Sequence, residues 1–193
     1  MTQDAAAELE SLASGIRRCT QCRLHQSRTL AVPGEGPVGA KLVFIGEGPG
    51  GVEDRTGRPF VGPAGRLLDS LLRDHGIQRR EVFITNAVKC RPPGNRAPRR
   101  DELEICASAW LHRQLELVAP RWVVLLGQVA TRQLLGDPAT VTRWHGTVQR
   151  RSEHFYFVTY HPAAALRFAA ISAALRSDFE ILSRHLREFA VIA

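Results

Sequence analysis

Lysine is nearly absent from this chain. Only Lys41 and Lys89 occur among 193 residues, although lysine and arginine together number 26 and the formal charge is +7 at pH 7. Almost all of the positive charge therefore belongs to arginine, whose planar fork of donors binds phosphate well. The composition is consistent with an anionic polymer as partner, although an arginine-rich genome would produce the same bias without one.

The chain also lacks a signal peptide, an apolar run long enough to cross a membrane, and any repeat or low-complexity segment. We therefore expect a cytoplasmic protein with no membrane partner. With 44% hydrophobic and 23% charged residues, its composition is that of an ordinary globular domain. A single domain over residues 1–193 is the simplest prediction.

Cysteine is scarce, and its spacing is informative. The four cysteines form a Cys-x2-Cys pair followed by two distant single residues: Cys19, Cys22, Cys90 and Cys106. Structural disulfides are disfavoured in a reducing cytoplasm, whereas four thiolates can bind Zn²⁺ or an iron–sulfur cluster. The spacing predicts a metal centre and leaves the metal open. Four buried, unligated cysteines are less consistent with the polar segment RRCTQCRLHQSR around the first pair.

Short apolar runs alternate with helical patterns along the chain. The runs cover residues 42–45, 82–85, 122–126 and 155–160 and predict strands buried on both faces. Helical patterns are found at residues 5–13, from 67 to Gly76, at 101–118, from Gly127 to Gly136, and at 175–189. This alternation predicts a mainly parallel sheet of four strands, covered by helices on both faces.

Polar or glycine-containing motifs follow each predicted strand. GEGPG (46–50) follows the first strand, Asn86 the second, Gly127 the third and His161 the fourth. Because the carboxyl ends of parallel strands meet at one edge of a sheet, these motifs are expected to form one site.

The glycines at the first strand end also match a dinucleotide-binding pattern. Gly46, Gly48 and Gly51 satisfy G-x-G-x-x-G. That pattern requires a helix to open within the motif, and Pro49 with the turn-rich segment EDRTGRP predicts no helix before about residue 63. The second strand also lacks the acidic residue that would bind a ribose. We therefore do not assign a dinucleotide site.

Several longer motifs agree with a known family. The segments GEGPGGVEDRTGRPFVGPAGRLLDSLL, TNAVKCRPPGNRAP and HPAAALR, together with the cysteines, resemble the iron–sulfur uracil-DNA glycosylases of family four, in order from Cys19 to Arg167. The resemblance implies a three-layer α/β/α fold and removal of uracil from single- and double-stranded DNA. It also implies a [4Fe-4S] cluster on Cys19, Cys22, Cys90 and Cys106, with zinc as the alternative. A monomer in a bacterial or archaeal cytoplasm, associated with the nucleoid, is the corresponding expectation.

The resemblance and the chemistry of base removal suggest roles in the pocket. Phe60 would stack on uracil, and the Asn86 amide would accept from uracil N3–H and donate to O4. His161 would donate to uracil O2, and Glu47 would orient the attacking water. Two further residues would shape the uracil pocket, namely Gly48 and Glu53. The alternative for Glu53 is a solvated turn residue.

Contacts with DNA are predicted on two loops. Arg91 and Arg96 would bind phosphates, unless their loop is merely solvated. Leu166 would wedge into the base stack with Arg167 on a phosphate, unless Leu166 packs into the core. Two other classes of protein remain open at this point: a zinc-bound nucleic-acid-binding module without catalysis, and a nucleotide-binding α/β protein.

Overall fold

A central sheet of five strands organises the molecule. The computed structural model describes residues 2–192. The strands are β1 (Leu42–Gly46), β2 (Phe83–Asn86), β3 (Trp122–Leu126), β4 (Thr147–Arg151) and β5 (His154–Thr159). Their order across the sheet is β2-β1-β3-β5-β4, and all neighbours are parallel except the antiparallel pair β4 and β5.

The predicted number of strands was wrong by one. The four predicted apolar runs all form strands, and β4 adds a fifth with the sequence TVQRR. This strand lies at the sheet edge, and its residues are exposed or only half-buried. An edge strand needs no continuous apolar run, so its sequence carries no signal for a buried strand.

Helices cover both faces of the sheet, which confirms the three-layer α/β/α architecture. The helices are α1 (Thr2–Arg18), α2 (Gly51–Thr56), α3 (Pro63–Asp74), α4 (Arg100–Cys106), α5 (His112–Val118), α6 (Gln128–Leu135), α7 (Val141–Trp144), α8 (Pro162–Ala165) and α9 (Ala169–Glu188). A π-helical segment, Ala107–Leu111, joins α4 to α5.

Helix α2 corrects one expectation. No helix was predicted before about residue 63, yet α2 begins at Gly51, directly after GEGPG. It is only six residues long, and Gly57, whose φ is 70°, is its C-cap. Its buried side chains are acidic rather than apolar, so hydrophobic periodicity could not reveal it. The second argument against a dinucleotide site still holds, because β2 ends in Asn86.

Two hydrophobic cores separate the sheet from its helices. Leu42 and Phe44 point to a core formed with α3 and α9, whereas Val43 and Ile45 point to a core formed with the π-helical segment, α5 and α6. This alternation is the period of two expected for a strand buried on both faces. Across residues 2–192, no helix has the length and apolar character needed to span a membrane.

The strand ends meet at one edge, as predicted. Gly46 at the end of β1 is the register partner of Asn86 at the end of β2. On the other side of β1, the Gly127 amide after β3 donates to the Thr159 carbonyl at the end of β5, at 2.8 Å. These contacts bring the segments that follow four strands to the same edge of the sheet.

Stability is expected to depend on the core between the sheet and α9. Phe179 is fully buried, and its ring stacks on Phe44 with centroids 6.2 Å apart. Replacing Phe179 with Ala should reduce the free energy of unfolding by about 3–5 kcal/mol because it opens a cavity. Phe168→Ala is the matched control, since Phe168 is 57% exposed; it should change stability by less than about 0.5 kcal/mol. Equal effects of the two variants in urea denaturation would contradict this packing.

Candidate active site

A pocket of about 400 Å³ opens at the carboxyl edge of the sheet. It contains all of the predicted catalytic and uracil-contacting residues, together with part of the predicted DNA surface. The residues of the pocket wall that concern the predictions are Glu47, Gly48, Glu53, Phe60, Asn86, Arg96, His161 and Arg167. Arg91 and Leu166 are not among the lining residues.

Asn86 places an unpartnered acceptor in this pocket. The residue is 2% exposed, and its Oδ1 has no hydrogen-bond partner among the residues that the structure describes. A Cβ atom at Gly46 would lie 2.5 Å from this Oδ1 and 2.6 Å from Cζ of Phe60. Glycine at position 46 therefore allows the amide and the ring to approach each other. A buried acceptor without a partner is unfavourable, so a ligand that donates to it would gain affinity.

Residues 59–62 form a turn, here called the Phe60 turn, and two side chains hydrogen-bond to its backbone. Phe60 has a φ of 50°, an unusual backbone conformation for a side chain of this size. Arg79 donates to the carbonyls of Pro59 and Phe60 at 2.7 and 3.2 Å. Oε1 of Glu53 accepts from the amides of residues 61 and 62 at 3.0 and 2.7 Å. Glu53 is 8% exposed, so it is a buried acceptor and not a solvated turn residue.

His161 faces Phe60 across the pocket, with ring centroids 5.7 Å apart. Its Nδ1 accepts from the Ala163 amide at 3.1 Å, which leaves the ring proton on Nε2. Burial lowers the pKa of His161 to about 4, so the imidazole is neutral at physiological pH. Gly127 allows this placement, because a Cβ atom there would lie 2.8 Å from Cβ of His161.

Glu47 supplies a carboxylate to the same pocket. It directly follows β1 and is half-buried, and burial raises the pKa of its carboxyl group. The Val88 amide donates to its main-chain carbonyl at 3.1 Å, which fixes the backbone at this point. A carboxylate with a raised pKa accepts a proton more readily than an ordinary one.

The predicted arginine contacts differ in their surroundings. Arg96 makes two hydrogen bonds, of 2.8 and 2.6 Å, to the carboxylate of the fully buried Glu102. Nε of Arg91 donates to Oδ1 of Asn95 at 2.7 Å. Arg96 therefore anchors its own loop as well as lining the pocket, a role that sequence reasoning missed.

The segment after His161 presents apolar side chains to solvent. Leu166 is 53% exposed and Phe168 is 57% exposed. The alternative in which Leu166 packs into the core is therefore wrong. Phe168 lines the pocket, although the sequence analysis did not select it. The sequence did carry a signal for Phe168, because this residue directly follows Leu166 and Arg167, which are both predicted to contact DNA.

The four cysteines line a second, small cavity. Three N–H groups donate to their sulfur atoms: Arg28 to Cys90 at 3.0 Å, the Lys89 amide to Cys106 at 3.3 Å, and the Trp110 indole to Cys19 at 3.3 Å. All four cysteines are free thiols. Within residues 2–192, no group of three or more Cys, His, Asp or Glu side chains has an arrangement that could hold a metal ion.

Burial strongly affects the thiols. It raises the pKa values of Cys22 and Cys90, and it raises the pKa of Cys106 to about 11. A buried thiolate is therefore favoured only when nearby donors or a metal compensate its charge. The N–H groups around the sulfurs provide part of this compensation.

Lys89 lines the cysteine cavity and contacts Asn86, and sequence reasoning missed this link. Its side chain is fully buried, and Nζ donates to Oγ1 of Thr85 at 2.7 Å and to the Asn86 carbonyl at 2.8 Å. Burial lowers the pKa of Lys89 to about 8. The only sequence signal was the position of one of two lysines between Asn86 and Cys90.

A family model and several known proteins are similar to this chain. The model of the uracil DNA glycosylase superfamily matches residues 33–182. A type-4 uracil-DNA glycosylase of Sulfurisphaera tokodaii is 41% identical, covering 95% of this chain and 85% of its own length. The type-4 enzyme of Saccharolobus solfataricus is 43% identical over 89% of this chain and 83% of its own length. That of Thermotoga maritima is 42% identical over 82% and 83%.

The Phe60 turn is expected to depend on Glu53. Replacing Glu53 with Ala leaves the amides of residues 61 and 62 without an acceptor, and should reduce the free energy of unfolding by about 2–4 kcal/mol. Glu53→Gln is the matched control, because one amide oxygen can still accept from both N–H groups. It should lose less than half as much in urea denaturation. If both variants are as stable as the unmodified protein, Glu53 does not hold the turn.

Proposed function

Because this chain belongs to the uracil DNA glycosylase superfamily and matches its type-4 members along most of its length, we propose that it hydrolyses the N-glycosidic bond of uracil in DNA. The product is an abasic site. The observation that supports uracil as the base is the unpartnered Oδ1 of Asn86 in a pocket that also holds Phe60 and His161. The resemblance seen in the sequence motifs agrees with these relatives.

Recognition begins with extrusion of the nucleotide from the stack, which requires a few kcal/mol. Phe60 then stacks on the uracil ring. Oδ1 of Asn86 accepts from uracil N3–H while its amide nitrogen donates to O4. Cytosine has an acceptor at N3 and a donor at N4, so it would leave the buried Oδ1 unpaired. Gly48 and Glu53 shape the wall of the pocket, and Glu53 would help to exclude the methyl group of thymine.

Cleavage moves an electron pair from the C1′–N1 bond onto uracil and leaves positive character on the sugar. Nε2–H of His161 donates to uracil O2, where negative charge develops, in a site that burial has already desolvated. Glu47 orients the water, accepts its proton as the new C1′–O bond forms, and stabilises the cationic sugar. His161 thus stabilises the negative charge that develops on uracil, and Glu47 stabilises the positive charge that develops on the sugar.

The DNA contacts that we propose surround the pocket mouth. Leu166 fills the gap that the extruded nucleotide leaves, and Arg167 binds a nearby phosphate. Arg91 and Arg96 extend the basic surface along the strand. Arg96 shares its guanidinium group with Glu102, so its contribution to phosphate binding is smaller than that of Arg167. Both single- and double-stranded DNA containing uracil would be substrates.

We further propose that Cys19, Cys22, Cys90 and Cys106 hold a [4Fe-4S] cluster. The four thiols line one cavity, and N–H donors surround their sulfurs. Thiolates spread over several irons can lie farther apart than ligands gathered at about 2.3 Å around one Zn²⁺ ion. Hydrolysis involves no net oxidation or reduction, so such a cluster would serve to tie the N-terminal segment to the loop after Asn86. A cytoplasmic location at the nucleoid stays a prediction.

The proposed reaction can be tested with two matched oligonucleotides, one containing uracil and one containing thymine at the same position. Incubation followed by alkaline cleavage of abasic sites should cut only the uracil strand. A zinc-bound nucleic-acid-binding module would bind both strands and cut neither. A nucleotide-binding protein would instead bind a free nucleotide saturably without releasing a base.

His161 should act as a neutral donor, which the pH dependence can reveal. With its pKa lowered to about 4 by burial, the donor form persists as the pH rises, whereas ionisation of Glu47 requires a pH above its raised pKa. The single-turnover rate should therefore rise on the acid side and stay level between about pH 6.5 and 8. A tenfold fall per pH unit in that range would show that the imidazolium is needed.

Replacing His161 with Ala should lower the plateau rate by about 10²–10³ with little change in DNA affinity, as for the loss of one oxyanion donor. His112→Ala is the control, because His112 is exposed on α5. It should leave both the rate and the profile unchanged.

Loss of one cysteine should remove the proposed cluster. Cys90→Ala should purify without iron or broad visible absorbance and with a lower Tm, because one missing thiolate opens a site that joins distant segments. Trp110→Phe is the control, since it replaces the indole whose N–H donates to Cys19 and leaves all four thiols in place. It should retain iron. Full iron content with an unchanged Tm in Cys90→Ala would exclude this ligand.

A further inference from the structure

Phe168 occupies an unusual position at the mouth of the pocket. Among the described residues, three large apolar side chains are exposed, namely Leu30, Leu166 and Phe168. Single exposed apolar residues are common and by themselves indicate nothing. Phe168, however, also lines the pocket that contains Asn86 and His161. Its exposed ring therefore lies within reach of whatever is attached to a base bound there.

A fixed backbone presents this ring. The Phe168 amide donates to the Ala164 carbonyl at 3.1 Å, and its own carbonyl accepts from the Ser172 amide at 3.0 Å. Phe168 is thus the N-cap of α9, a helix of 20 residues anchored in the core by buried residues such as Leu175 and Phe179. In the described part of the chain, no aromatic ring stacks on Phe168. The backbone at Phe168 is therefore fixed, and the aromatic surface of its ring is available.

We infer that Phe168 stacks on the base of the nucleotide next to the extruded uracil. This inference rests on the proposed function, since it requires a uracil in the pocket. Every base has a π-face, so such a contact tolerates any neighbouring sequence. Its role differs from that of Leu166, which would fill the gap left in a duplex. Stacking on Phe168 operates equally on a single strand, where no partner base has to be displaced.

The contact can be tested by removing the neighbouring base. Single-stranded oligonucleotides would carry uracil with normal neighbours, or with a tetrahydrofuran abasic analogue on its 5′ or its 3′ side. For the unmodified protein, kcat/KM for uracil release should fall by about 5- to 150-fold when the analogue replaces the stacked neighbour, the range for loss of one base–aromatic stack. The side on which the loss occurs identifies the neighbour.

Variants then assign the effect to the ring. Phe168→Ala should lose the same factor on the normal substrate, mainly in KM, and should lose nothing further on the analogue. Phe168→Trp should restore both the affinity and the dependence on the neighbouring base. Leu30→Ala is the matched control, because Leu30 is 45% exposed and does not line the pocket. It should behave as the unmodified protein does.

Three outcomes would overturn this inference. If Phe168→Ala responds to the abasic neighbour as strongly as the unmodified protein, the ring does not contact that base. If Phe168→Ala lowers the Tm markedly, the ring packs against the protein instead. In both cases excision by the unmodified protein would continue, so the proposed function would stand. Absence of uracil release by the unmodified protein from every oligonucleotide would instead overturn the proposed function and this inference together.

Discussion

The buried ammonium of Lys89 constrains the arrangement of the whole site. Burying a charge among protein atoms is unfavourable unless fixed partners surround it. Here Oγ1 of Thr85 and the Asn86 carbonyl accept its hydrogen bonds, while its own amide donates to Cys106. Thr85 and Asn86 belong to β2, and Cys106 is the last residue of α4. The amide proposed to read the base and the proposed metal ligands are therefore held in one rigid unit, with Cys90 next in the chain.

Burial determines the hydrogen-bonding and protonation states of the side chains in the pocket. The same burial that leaves Oδ1 of Asn86 without a partner lowers the pKa of His161 and raises that of Glu47. A neutral donor and a proton-accepting carboxylate then line one pocket, where hydrogen bonds are stronger than in water. Glycines at positions 46 and 127 make this possible, since a Cβ atom at either would clash with Asn86 or His161. Placement of these side chains at the strand ends thus underlies both the proposed recognition of uracil and the proposed catalysis.

The sequence predicted those features that depend on continuous patterns. Strands buried on both faces produce apolar runs, so the four parallel strands and the meeting of Asn86 with His161 at one edge were predictable. The edge strand β4 and the short helix α2 were not, because one is largely polar and the other buries acidic side chains. The hydrogen bonds of Glu53 to the amides of residues 61 and 62, and those of buried Lys89 to Thr85 and Asn86, depend on how the backbone folds around these side chains. Residue type alone carries no signal for such features.

The central claim is that the amide of Asn86 selects uracil by its hydrogen-bonding pattern. Single-turnover excision by an Asn86→Asp variant, measured on matched oligonucleotides with uracil or cytosine, tests it most directly. A protonated carboxyl group can donate to cytosine N3 while its other oxygen accepts from N4. We predict that uracil excision falls by about 5- to 150-fold, the scale of one bidentate contact, and that cytosine excision becomes detectable. Unchanged uracil kinetics would contradict the account and remove Asn86 from base recognition.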